Sequence, residues 1–157
     1  MSETLEDFVQ NLQDQIYEET RGAYGEKVFQ RWLKPVHQGM IDNLDGFACL
    51  TGRCGDTMEV FLKFEDERVK EASYRTNGCG SSNAAGSYAA EMALGRNPDE
   101  LMEITGKAIL EKMDGLPEAE EHCAFLAAET LQAALNDYMI KQPRKEKGGE
   151  REPESVT

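Results

Sequence analysis

Cys54, Cys79 and Cys123 carry the chemistry most visible in this chain of 157 residues, where they lie 25 and 44 positions apart. Cys79 sits in Asn77-Gly78-Cys79-Gly80-Ser81-Ser82, between two glycines and directly before a helix-forming stretch. Flanking glycines remove Cβ crowding and admit backbone angles closed to other residues. A helix N-terminus adds unpaired amides and partial positive charge, which favour a thiolate over a thiol. A sulfur so placed is suited to a metal or to an electrophile. No Cys-x-x-Cys occurs, so the common zinc-finger and thioredoxin spacings fail. Each of the three nevertheless occupies a junction. Cys54 follows a short strand in Thr51-Gly52-Arg53-Cys54-Gly55-Asp56, and Cys123 opens the last helix in Glu121-His122-Cys123. The fourth cysteine, Cys49, lies inside a strand candidate and reads as a small hydrophobe. His37 reads as a surface histidine in a loop.

Elements that must position these residues follow from periodicity. Leu5, Phe8, Val9, Leu12 and Ile16 form the stripe of an amphipathic helix, predicted to pack as core and to be interrupted at Gly22. Val28, Phe29, Trp32 and Leu33 resume the pattern until Pro35. Three strand candidates come next, from about residue 46 to 76: Gly46–Gly52, then a run with Met58, Val60, Leu62 and Phe64 on one face, then Arg68–Thr76. The polar turn Glu65-Asp66-Glu67 joins the last two as an antiparallel hairpin. In an antiparallel sheet the end of the first strand and the end of the third share one edge, which brings Cys54 and Cys79 together. Ser81 or Ser82 is expected to cap a helix ending at Gly95, and Asn97 to cap the next. A short helix over Lys107–Met113 precedes a long one from roughly Glu120 to Lys141, with Phe125, Leu131, Leu135 and Tyr138 as buried candidates. Helices, then strands, then helices give an α+β fold: a three-stranded antiparallel sheet with helices on one face and an extra N-terminal helix. The expected division is an N-terminal helical extension over 1–33 packed on the domain, a domain over 34–141 and a disordered tail over 142–157.

Seventeen basic against thirty acidic residues give a net charge of −13. Nucleic acid and anionic membranes need a positive footprint, so neither is expected as a partner, and a basic protein face is favoured. No run of about 18 apolar residues is present. Met1–Gln10 is acidic and lacks an apolar signal core, which predicts a cytoplasmic protein whose cysteines stay reduced.

The stretches Cys54–Phe64, Tyr74–Ser87 and His122–Tyr138 closely resemble the U-type iron–sulfur cluster assembly scaffolds, the IscU and NifU N-terminal family. Cys-Gly-Asp, Gly-Cys-Gly and His-Cys occur in order and at fitting distances, and the resemblance runs from about Lys34 to Tyr138. It implies a scaffold and not an enzyme. Such a scaffold receives persulfide sulfur and iron, builds a transient [2Fe-2S] cluster and passes it to apo-proteins. Carried over, Cys54, Cys79 and Cys123 are thiolate ligands, with Cys123 the persulfide acceptor. Asp56 is associated with cluster lability, as suits a carboxylate, which is a harder ligand than a thiolate. His122 is the other candidate for the fourth ligand. The implied partners are a cysteine desulfurase, an electron donor such as a ferredoxin and apo iron–sulfur acceptors, with a homodimer left open. The uninterrupted Cys79–Cys123 segment and His122 match the IscU-like branch. Two stretches depart from the family. Leu116-Pro117-Glu118-Ala119-Glu120 stands where many members carry Leu-Pro-Pro-Val-Lys, which predicts little stimulation by a specialised Hsp70. Lys34–Gly39 stands where Asn-Pro-Arg-Asn is usual. Two other functions use the same residues: a zinc protein binding Zn²⁺ through the cysteines with Asp56 or His122, and a persulfide sulfur carrier or sulfurtransferase acting through Cys123.

Overall fold

The computed structural model of the chain describes residues 4–53 and 55–147, with backbone alone for 142–147. Strands β1 (Gly46–Thr51), β2 (Thr57–Glu65) and β3 (Arg68–Thr76) form an antiparallel sheet in that order. Val60 stands between Ala48 and Tyr74, and Leu62 between Gly46 and Ala72. With Met58 they make one apolar face, all of it part of the main core except Gly46. Asp66 and Glu67, at φ 55° and 64°, close the β2–β3 hairpin in the left-handed geometry that matches strand twist. The register shifts between Lys63 and Phe64, and the Phe64 ring then stacks on Tyr138 at 3.7 Å.

Among the described residues there are six α-helices, α1 (Leu5–Tyr24), α2 (Glu26–Leu33), α3 (Gly80–Ala93), α4 (Pro98–Leu101), α5 (Gly106–Lys112) and α6 (His122–Lys147), of which α3 and α6 pack against the apolar face of the sheet. A 3-10 turn at Glu118–Glu120 leads into α6. Helix α3 is buried on nearly every side, which explains its run of Ser, Ala and Gly. Small side chains let it approach β3 closely; a Cβ on Gly86 would sit 2.5 Å from the Tyr74 ring. Gly46 serves the same purpose between β1 and α6, where a Cβ would lie 2.5 Å from the Ala134 carbonyl oxygen and 3.1 Å from Tyr138 Cβ. Backbone cannot yield there as a side chain can. Gly46→Ala is therefore expected to cost roughly 1–3 kcal/mol and to lower the melting temperature by several degrees in a thermal scan.

Several sequence expectations need correction. Helix α1 runs through Gly22 and breaks at Gly25, whose φ of 89° a residue with a Cβ rarely adopts. Its stripe is not core: no residue of α1 is buried, and Leu5, Phe8, Val9, Leu12 and Ile16 remain 45–77% exposed. Where the chain touches α2 it does so through the other side, with Tyr17 edge-on to Phe29 and Trp32 and with Arg21 over the Phe29 ring. Phe125 is 45% exposed because its ring lies over Gly106 on α5 instead of entering the core. Leu131, Leu135 and Tyr138 are buried as expected. Helix α6 continues past Lys141 to Lys147, and it does so through Pro143, which has no amide to donate to the helix ladder. Positions 148–157 of the expected disordered tail lie outside the described residues.

Candidate metal centre

The sheet register itself assembles one edge of the site. Thr51 ends β1 opposite Thr57, the first residue of β2, and Met58 stands opposite Thr76, the last of β3. Side chains and backbone then fasten the two loops leaving that edge. The Thr57 amide donates to Asn77 Oδ1 (2.8 Å), Thr76 Oγ1 donates to the Thr57 carbonyl (2.6 Å), and the Gly78 amide donates to Thr76 Oγ1 (3.0 Å). In the β1–β2 loop the Gly52 amide donates to the Asp56 carbonyl at 2.8 Å, and Gly55 turns the chain at φ 93°. Asp56 is thereby carried to the start of α3. Cys54, expected in this loop as a ligand, lies outside the described residues.

Cys79, not Ser81 or Ser82, is the N-cap of α3, with extended backbone at φ −78° and ψ −171°. Extended geometry is general at caps and leaves the side chain free to point outward. Its two glycines answer a need for space more than for unusual angles. A Cβ on Gly78 would lie 2.5 Å from Asp56 Oδ2 and 2.6 Å from Ser82 Oγ, and one on Gly80 would lie 2.6 Å from the Trp32 indole. From the other side, the 3-10 turn delivers Cys123 in the first turn of α6. Ligand atoms of Asp56, Cys79 and Cys123 all come within 4.8 Å of one another. Two sulfurs and one oxygen at that separation can share a single ion or a small cluster. Soft thiolates with one harder oxygen suit zinc or an iron–sulfur cluster, in contrast to the oxygen sets that calcium and magnesium select. The donor set thus fits the expected cargo.

Exposure divides the two cysteines. Cys79 is open to solvent, whereas Cys123 is 1% exposed. His122 is outside the three-residue group, with its Nε2 3.8 Å from Cys123 Sγ. Its partly buried ring lines a separate depression with Arg53, Phe125 and Glu129. Cys49 is exposed on β1 opposite Glu59, on the pleat facing away from Ala48 and the main core. His37 is half-buried and adopts φ 68°, and its carbonyl accepts from the Tyr74 amide at 3.0 Å. Its backbone role on the edge of β3 was not visible from composition.

Sequence reasoning missed two further groups. Ser82 is fully buried, donates to Asp56 Oδ2 at 3.0 Å and lies 3.4 Å from Cys123 Sγ. A single hydroxyl proton cannot serve both acceptors at once, so Ser82 links the carboxylate and the thiol in one network. The only signal in the sequence is its spacing, one helical turn beyond Cys79. The second group is Glu120, which accepts from Tyr24 Oη (2.8 Å) and from Ser81 Oγ. That carboxylate, followed by burial, holds the Tyr24 phenol above its ordinary pKa. Glu120 thus ties α1 to the start of α3, and with Tyr24, Val28, Trp32 and Cys79 it encloses a cavity of about 130 Å³ beside the thiol. In the stretch that departs from the family pattern, this acid makes an internal contact.

Comparison with known proteins supplies the remaining context. The family model described as "NifU-like N terminal domain" matches residues 23–145. An iron–sulfur cluster assembly scaffold protein, IscU 1 of Archaeoglobus fulgidus, is 36% identical over 138 residues, covering 85% of this chain and 90% of the relative. The scaffold protein IscU of Escherichia coli K12 is 35% identical over 128 residues, covering 78% of this chain and 99% of its own. In three dimensions the N-terminal NifU-like protein of Brucella abortus superposes with a TM-score of 0.63 at 19% identity, covering 78% of this chain and 98% of the other. That likeness concerns the fold. Motifs, sheet topology and extended identity agree, and the chain belongs to the NifU-like N-terminal domain family that includes the IscU scaffolds.

Proposed function

We propose that this protein is an iron–sulfur cluster assembly scaffold that builds a transient [2Fe-2S] cluster and passes it to apo-proteins. The observation that supports it most is the convergence of Asp56, Cys79 and Cys123 within 4.8 Å at one end of the sheet. Cys54, five positions beyond Cys49 in sequence, joins them as the third thiolate in this reading. The cluster is cargo, and the chain's own residues bind it and let it go. The protein is a carrier and not an enzyme.

Cys123 is the sulfur acceptor in the proposal. His122 Nε2, 3.8 Å away, is placed to take the thiol proton as the sulfur becomes a nucleophile. Burial of Cys123 means that the groups around it must move before a donor can reach it. A sulfur delivered as persulfide must gain electrons to become bridging sulfide. The proposal therefore needs a cysteine desulfurase as source, an electron donor such as a ferredoxin, and apo iron–sulfur acceptors downstream. With a charge of −13, the desulfurase surface should be basic and its association salt-sensitive. Among the described residues no helix is long and apolar enough to cross a membrane, and the proposed setting is the cytoplasm.

Anaerobic reconstitution of the whole chain with ferrous iron, sulfide and a thiol tests the reading. Visible absorption bands with about two irons and two sulfides per bound cluster are expected. A colourless product carrying zinc alone would instead identify a zinc protein. Sulfur turnover without iron would identify a sulfurtransferase.

A further inference from the structure

A buried hydroxyl must find its partner inside the protein. Ser73, Ser87 and Thr130 are buried and donate to the backbone carbonyls of Gly39 (2.6 Å), Val36 (2.8 Å) and Leu126 (2.7 Å), where they fasten the fold. Ser82, fully buried too, directs its proton at two candidate ligands instead. It donates to Asp56 Oδ2 at 3.0 Å and lies 3.4 Å from Cys123 Sγ. Gly78 makes room for that contact. A Cβ there would stand 2.5 Å from Asp56 Oδ2 and 2.6 Å from Ser82 Oγ, pressed against both oxygens.

The polarity of the contact decides its effect on a bound metal. An outer group that accepts from a ligand strengthens it, as a carboxylate does for a ligating histidine. One that donates does the reverse, because a lone pair engaged with a proton has less charge to give a cation. With Oδ2 engaged, Asp56 is also held to binding through a single oxygen. A hydroxyl with two acceptors in reach can turn to Cys123 Sγ when the carboxylate is displaced. No buried donor is then left unpaired, which lowers the cost of displacement.

We propose that Ser82 is a positioning residue for cluster release: its hydroxyl keeps Asp56 a weak, single-oxygen ligand and turns to Cys123 Sγ as the carboxylate lets go. The inference rests on the scaffold reading and names the group that makes Asp56 exchangeable.

Transfer of a reconstituted cluster from the whole chain to an apo-ferredoxin tests it. Ser82→Ala should lengthen the half-time roughly three- to tenfold, the scale of one hydrogen bond. In an Asp56→Ala background the same change should alter it by less than about twofold, since the hydroxyl acts through that carboxylate. Gly78→Ala parts the two oxygens without removing either, and should slow transfer as Ser82→Ala does. In Asp56→Ala the hydroxyl is left with Cys123 as its acceptor. Removing it there should lower the reduction potential of the cluster, because hydrogen bonds to ligand sulfur raise it. A packing role would not move the potential.

Zinc-loaded parent and variants, challenged with a chelator, repeat the comparison without a cluster, and zinc should leave Ser82→Ala more slowly than the parent. Colour in the reconstituted parent thus judges the scaffold reading, and zinc release judges Ser82. Parent-like rates in both Ser82→Ala and Gly78→Ala overturn the proposal, as does faster release from Ser82→Ala. A slowing that persists undiminished without Asp56, or an unchanged potential in the double variant, overturns it as well.

Discussion

Cys79→Ala and Cys123→Ala are each expected to abolish retention of a reconstituted cluster, while Cys49→Ala leaves it near the parent level. The first two sulfurs lie within 4.8 Å of each other and of the Asp56 carboxylate, so either loss removes a thiolate from a set that has no spare among the described residues. Cluster binding depends steeply on the number of thiolates. Cys49, by contrast, projects from the opposite pleat of β1, beside Glu59 on β2. Cys54→Ala should match the first two, because Cys54 completes the proposed set. Visible absorbance after desalting reads the outcome, and circular dichroism separates ligand loss from unfolding. That control matters most for Cys123, which is buried against the core. Loss at Cys49 equal to loss at Cys79 would show the ligand assignment to be wrong.

Asp56→Ala is expected to keep its cluster longer and to pass it more slowly to an apo-ferredoxin, with a half-time lengthened on the order of tenfold, equivalent to about 1.4 kcal/mol in the barrier. The carboxylate is the hardest donor in the group and competes poorly with sulfur for iron. It is also held through Ser82 Oγ at 3.0 Å, so its orientation depends on a hydroxyl that lies 3.4 Å from Cys123 Sγ. An acceptor thiolate can displace such an oxygen more readily than a sulfur. His122 is the rival release point, and its Nε2 stands 3.8 Å from Cys123 Sγ, outside the three-residue group. Transfer half-times for Asp56→Ala and His122→Ala, measured side by side without oxygen, decide between them. Release as fast as the parent in Asp56→Ala, with slow release in His122→Ala, would assign the exchangeable position to the histidine.

Much of the site was legible because it is local. The strand-to-helix junction at Cys79 and the helix start at Cys123 follow from where two-residue alternation gives way to helical spacing. Antiparallel pairing of β1 to β3 follows from alternation and a short polar turn, and it places Asp56 and Cys79 at one edge. Motif order then pointed to the family that the comparisons bear out. Other features depend on what stands opposite a residue, which periodicity does not encode. Ser82 looked like a cap, yet the extended backbone at Cys79 starts α3 earlier and turns that hydroxyl inward to Asp56. Glu120 was expected only as the approximate start of the last helix, and the turn before α6 brings it to Tyr24 and Ser81, from distant parts of the chain.

The same limit explains α1. Its sequence determined an amphipathic helix, because apolar side chains recur at helical spacing and Thr4 with Asp7 caps the start. It could not determine which way that face turns. The break at Gly25 sets the angle between α1 and α2, and Tyr17 and Arg21 take the contact with Phe29. The stripe is consequently left in water. Composition and spacing determined which side chains form each face and which thiols stand at junctions. The tertiary structure alone decided that Cys79 is open and Cys123 covered, and which faces find a neighbour, because burial is a property of the surface opposite.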